Sequence, residues 1–130
     1  MIFEKFLVEI ISPDRSIIKT ETSEVVIPSF EGEMGILKDH IPLITFLSPG
    51  LINIKTNTVQ KFFVEEGTVE FSNNNLLILT STAKEVTKMN KKFIDTLISE
   101  SEKKLDDNEI TDKERYLLSY KLETLRNINQ

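Results

Sequence analysis

The sequence predicts a β + α chain: an antiparallel sandwich or barrel over residues 1–84, then two helices over residues 85–130. Three observations predict it. Turn signals recur about every 8–12 residues through the first part, the spacing of an antiparallel all-β body and not of βαβ units. Beyond Ala83 the apolar residues switch to helical spacing. Proline and glycine also vanish there, since all 4 of each lie before Ala83.

Each element has its own signal. Phe6-Leu7-Val8-Glu9-Ile10-Ile11 is rich in β-formers and ends at Ser12-Pro13-Asp14-Arg15, a turn with proline pre-set at its second position. Strands follow at Glu24–Pro28, at Leu43–Leu47 before Ser48-Pro49-Gly50, and at Leu51–Lys55 before Asn57. Phe62–Val64, Thr68–Phe71 and Leu76–Leu79 complete the series, with Asn73-Asn74-Asn75 as the turn between the last two. In the second half, Phe93, Ile94, Leu97, Ile98 and Leu105 share one helical face. Leu105-Asp106-Asp107-Asn108-Glu109 interrupts it. Thr111-Asp112-Lys113-Glu114 is a capping box, whose hydroxyl and carboxylate satisfy free N–H groups at a helix start. Leu118, Leu122 and Leu125 line the second helix. Five or six large apolar side chains per helix offset the ordering of this segment only narrowly, so the pair is expected to detach or re-dock readily.

Composition excludes several function classes. There is no cysteine, hence no disulfide, thiolate metal site or cysteine nucleophile. No apolar run approaches the roughly 18 residues of a membrane helix. The N-terminus lacks the features of a signal peptide, and the fold begins almost at Met1, which predicts a cytoplasmic protein without a transit peptide. A net charge of −5, with scattered basic residues, argues against nucleic-acid binding.

Candidate chemistry is sparse. His40 is the single histidine, so a zinc site would need carboxylates to complete it; a turn or interface role fits better. No phosphate-binding glycine loop or nucleophile elbow occurs. The paired acids Glu31 with Glu33, Glu65 with Glu66, and Asp106 with Asp107 read as solvated ends of loops or strands. Glu31 and Glu33 bracket Gly32 in a glycine-bearing loop, which suits contact with a partner better than acid–base work. Arg115, Lys121 and Arg126 form a candidate face for an acidic partner, set against the plainer reading of a solvated helix surface.

The segment Glu31-Gly32-Glu33-Met34-Gly35-Ile36-Leu37-Lys38-Asp39-His40-Ile41-Pro42-Leu43 resembles the E-G-x-x-G-x-x-x-x-H-x-P-L signature of the F-type ATP synthase epsilon family. Gly32 and Gly35 permit backbone angles or approaches that a Cβ would block, and Pro42 fixes the entry to the next strand. Val8–Pro13, Ser48-Pro49-Gly50, Val64–Phe71, Leu79–Ala83 and Leu125-Arg126 keep the family's order. Glu66 replaces the first of two usual glycines, and Ser81 stands where an acid is usual.

The resemblance implies a β-sandwich of about ten strands with a helical hairpin. It implies a non-catalytic central-stalk rotor subunit, without cofactor or metal, coupling ion flow through the c-ring to ATP synthesis. The sandwich would grip the gamma subunit and rest on the c-ring, touching the membrane only indirectly, on the cytoplasmic face of a bacterial inner membrane. Glu33 would face the polar loops of the c-ring with Glu31 and Lys38 nearby, and His40 would lie near gamma. Arg115, Lys121 and Arg126 would meet the beta subunits of the catalytic head if the helices extend, restraining ATP hydrolysis. Some relatives bind ATP through a D-x-x-R-A motif at the first helix. Here Asn90 and Phe93 fill the acid and arginine places, so no ATP binding is expected. Two readings outside the family stay open: a free-standing sandwich adaptor with a helical tail, and a carboxylate-dependent hydrolase.

Overall fold

The computed structural model describes residues 4–128; the reading at Met1 and the two C-terminal residues lie outside them. Ten strands run β1 (Phe6–Ile11), β2 (Ser16–Thr22), β3 (Glu24–Ser29), β4 (Gly32–Leu37), β5 (Leu43–Leu47), β6 (Gly50–Lys55), β7 (Val59–Val64), β8 (Gly67–Ser72), β9 (Asn75–Leu79) and β10 (Lys84–Glu85). A 3₁₀ turn, Val86–Lys88, leads to helices α1 (Lys91–Leu105) and α2 (Asp112–Ile128).

The strand order is β10-β7-β6-β3-β5-β8-β9-β1-β2, with β4 on the free side of β3. The sheet turns over at β3. Its first residues pair with β6, and its last, Ser29, pairs with Leu47 of β5. Two five-stranded layers result. Alternation along each strand sends one set of side chains between them, where Val8, Ile10, Val25, Ile27, Ile36, Ile52, Ile54 and Ile78 are fully buried. Among the described residues, the one parallel pairing joins β1 to β9.

Close contacts explain the turns. Ser12 N–H donates to Arg15 O (2.9 Å) between β1 and β2. Gly67 has φ +155°, and a Cβ there would stand 2.6 Å from the Leu79 carbonyl oxygen, so only glycine lets β8 begin against β9. At the exit of the sandwich, Thr82 Oγ1 accepts from Glu65 N–H (3.0 Å), and Thr80 donates to Glu66 O (2.6 Å).

The helices form an antiparallel hairpin on the outer face of the β6–β7 layer. A second apolar cluster sits there: Phe63, Met89, Ile94 and Leu125 are buried, with Leu51, Phe93 and Leu97 packed around them. Asn90 caps α1, its side chain accepting from Phe93 N–H at 2.8 Å. The capping box predicted for α2 is present: Glu114 N–H donates to Thr111 Oγ1 (3.1 Å), and Thr111 N–H to Glu114 Oε1 (3.4 Å).

Three elements depart from the sequence reading. Ser16–Thr22 and Lys84–Glu85 are strands where no strand was placed. The glycine-bearing loop is a strand from Gly32 onward, paired residue by residue with β3 from Ser29↔Gly32 to Glu24↔Leu37. A hairpin partner supplies its hydrogen bonds, and β3 opposite it has the stronger β-propensity.

Candidate partner-binding surfaces

The turn between β3 and β4 is tight and internally braced. Phe30 and Glu31 form its tip. Ser29 Oγ accepts from Glu31 N–H (3.2 Å) and donates to Gly32 O (2.7 Å), while Ser48 Oγ donates to Ser29 O (3.2 Å). Gly32 has φ +111°, in the region that favours glycine. Glu31 and Glu33 are both exposed, and neither carboxylate makes an ion pair among the described residues. Gly35 leaves room for the Glu24 carboxylate, whose oxygen lies 3.3 Å from where a Cβ would stand. That carboxylate pairs with Lys55 at 2.6 Å.

Lys38 and His40 belong elsewhere. The sequence groups them with Glu31 and Glu33 as one partner-facing loop, and the structure separates them. The length of β4 lies between, five residue steps at about 3.3 Å each, or about 17 Å. Lys38 and Asp39 form the turn after β4, and Asp39 takes a positive φ of 64°. Asn74 holds that turn reciprocally: its Oδ1 accepts from Asp39 N–H (2.7 Å) and its Nδ2 donates to Asp39 Oδ1 (3.0 Å). His40 is half-buried, its ring edge-to-face with core Phe71 at 5.8 Å and its Nδ1 2.7 Å from the Ile41 carbonyl oxygen. Pro42 is exposed just before β5.

Arg115, Lys121 and Arg126, three of the four basic residues of α2, are engaged within the chain. Arg115 Nη1 donates to Leu105 O at 3.0 Å, closing the end of α1. Lys121 Nζ lies 2.6 Å from Glu65 Oε1 and joins α2 to the sandwich. Arg126 pairs with Glu102 of α1 at 3.4 Å. With the helices docked, each of the three spends its charge on a partner within the chain. Each cation found an acceptor on an element the sequence could not place beside it.

Two features escaped the sequence reading. The outer face of the β5-β8-β9-β1-β2 layer is partly apolar, and none of the described residues covers it. Ile44 is 77% exposed and Phe46 58%, with Leu79 and Leu7 in neighbouring rows and Ile41 at the margin. The alternation Ile44-Thr45-Phe46 carried the signal, because all three positions of this strand are apolar or β-forming whichever face they meet. The second feature is Tyr116 with Tyr120, one helical turn apart on α2, with ring centroids 4.8 Å apart. The hydrogen bond Tyr116 donates to Tyr120 (3.2 Å) holds its hydroxyl pKa above the ordinary tyrosine value.

Among the described residues, no group of three or more metal-ligating side chains is arranged to hold a metal ion. No helix among them is long and apolar enough to cross a membrane.

An all-β body with a two-helix arm, braced turns, unpaired loop charges and an uncovered apolar face is the build of an assembly subunit. Residues 5–86 match the family model of the ATP synthase delta/epsilon chain beta-sandwich domain. The ATP synthase epsilon chain of Pelagibacter ubique is 43% identical over 128 residues, which is 97% of this chain and 98% of the relative. That of Allorhizobium ampelinum is 31% identical, over 82% of this chain and 80% of the relative. Among solved structures, a chain of the Euglena gracilis mitochondrial ATP synthase superposes with a TM-score of 0.75 at 18% identity, covering 94% of this chain and 78% of that one. A chain from the central stalk and c-ring of the Tetrahymena thermophila enzyme gives 0.69 at 14% identity, with 98% of both covered. At these identities the likeness is one of fold. The chain belongs to the epsilon-subunit family of F-type ATP synthases.

Proposed function

We propose that this subunit is a non-catalytic part of the central-stalk rotor, bound to the gamma subunit through the outer face of the β5–β2 layer. The observation that carries the reading is the asymmetry of the sandwich. Both outer faces carry apolar side chains, but the hairpin covers one and nothing among the described residues covers the other. Apolar surface of this kind, rimmed by charge, marks an interaction site. The His40 loop adjoins its margin, and Asn74 fixes that loop in place.

The β3–β4 turn, at the other end of β4, is the candidate contact with the c-ring, through Glu31 and Glu33. The Tetrahymena structure is of a central stalk and c-ring, which supports a place for this chain in such an assembly. The subunit would sit peripherally, on the cytoplasmic face of a bacterial membrane, without cofactor or bound ATP. Residues 1–84 would act as the gripping body and 85–130 as a separable arm. Release of the arm would free Lys121, and separation of its two helices would free Arg115 and Arg126, for the beta subunits of the catalytic head.

The test is binding of the purified full-length chain to purified gamma subunit. Phe46→Glu and Ile44→Glu are expected to leave the melting temperature nearly unchanged and to weaken gamma binding by at least about tenfold, as central apolar contacts do. Unchanged binding by both variants would move the gamma contact to another face.

A further inference from the structure

A cleft of about 250 Å³ lies between the sandwich and α2. Gly32 and Glu33 of β4 line one side, and Tyr116, Tyr120 and Glu123 of α2 line the other. Among the described residues, two carboxylates border it and no lysine or arginine does. Neither carboxylate makes an ion pair or side-chain hydrogen bond among the described residues, and the same holds for Glu31 at the adjoining turn. Three acids at or near the hairpin are engaged within the chain: Glu65 with Lys121, Glu102 with Arg126, and Glu114 with Thr111. The buried Oδ1 of Asn53, in the same lining, has no donor among the described residues. Tyr116 and Tyr120 remain 49% and 41% exposed, so their rings and hydroxyls are open to a partner.

Carboxylates, hydroxyl and amide acceptors and aromatic faces, with no competing cation, make up the chemistry that recognises a guanidinium or ammonium group. An arginine fits it best, because its planar fork can stack on a tyrosine while bonding a carboxylate. Ser29 and Gly32, which flank the tip of the β3–β4 turn, also line the cleft, and Phe30 at that tip is 46% exposed beside Glu31.

We infer that this cleft takes an arginine or lysine side chain from a polar loop of the c-ring, so that α2, while docked, supplies half of the ring contact. The inference rests on the reading of the β3–β4 turn as ring-facing, and adds to it that the helical arm takes part. Undocking the arm removes Tyr116, Tyr120 and Glu123 from the cleft. Ring binding and arm docking therefore favour each other, each strengthening the other by the same factor.

The experiment measures binding of the full-length chain to detergent-solubilised c-ring, for the parent, Glu33→Lys, Glu123→Lys, and the double variant Tyr116→Ala/Tyr120→Ala. Glu123→Gln accompanies them as a neutral replacement on an exposed helix position. Each charge reversal and the tyrosine double variant are expected to weaken binding about tenfold, Glu123→Gln about threefold, and the reversals should flatten the salt dependence. Parental affinity in Glu123→Lys and in the tyrosine variant, with affinity lost in Glu33→Lys, overturns the inference and leaves the ring-facing turn standing. Parental affinity in all variants overturns both.

Discussion

The Lys121–Glu65 pair should set how firmly the helical arm rests on the sandwich. The Lys121 side chain is 13% exposed and that of Glu65 is 37% exposed, at 2.6 Å. Exposed ion pairs contribute about 0.2–1 kcal/mol, whereas removing one partner of a fully buried pair costs about 3–5 kcal/mol. A pair shielded on one side only falls between, at about 1–2 kcal/mol, or a factor of about 5–30 in the docking equilibrium. Lys121→Met keeps the apolar stem that packs beneath the charge and removes the ammonium alone. Native-state hydrogen exchange reads the result. Protection of the α1 and α2 amides should fall about 5- to 30-fold, while the amides of Ile52 and Ile54 in the sandwich keep theirs. Glu65→Gln should act alike, and the double variant should be no worse than either single one. A fall of less than twofold in the helices, or an equal fall in the sandwich, would refute a separable arm held by this pair.

A fragment ending at Lys88 should keep a folded β-type far-ultraviolet circular dichroism spectrum, since the sandwich core closes before that residue; an unfolded spectrum would refute the division at residue 84. Gly67→Ala should destabilise the chain by about 2 kcal/mol or more in urea titration, because a Cβ meets the Leu79 carbonyl at a backbone angle alanine resists. His40→Ala should lose the ring contact with Phe71 and about 0.5–1.5 kcal/mol in the same titration, where a pure surface role would give no change. Titration calorimetry with Mg-ATP should show no saturable heat up to millimolar nucleotide, because the Phe93 ring lies under the Lys84 ammonium at 3.7 Å and offers no phosphate fork.

Much of the fold was legible because periodicity reports which face of an element is buried. The strands that the sequence marked are those with a strong inward set, such as Phe6-Val8-Ile10 and Leu76-Ile78. Ser16–Thr22 and Gly32–Leu37 are edge strands, paired on one side and half exposed, so polar residues and glycines dilute their pattern. The same dilution placed Glu33 and His40 on one loop, although β4 runs between them. Charges were legible as charges and not as pairs. Nothing local to Lys121 or Arg126 names Glu65 or Glu102, because one contact exists only once the hairpin lies on the sandwich and the other only once the two helices pair. The capping box, by contrast, acts over three residues and was readable at the start of α2.

The parallel pairing of β1 with β9 bears on how the subunit is made. Strand β1 is the first to leave the ribosome, yet its partners lie at both extremes of separation: β2, a turn away, and β9, where Ile11 sits beside Leu79. The first hairpin can form early, but it presents an unsatisfied inner edge until residues 75–79 emerge. Loop closure over that distance places the sandwich among slow, high-contact-order folds. For that interval Phe6, Val8 and Ile10 have no core to enter, and a strand edge stays open to other chains. Overproduction of the subunit should therefore be limited by synthesis rate and temperature before it is limited by the stability of the finished fold.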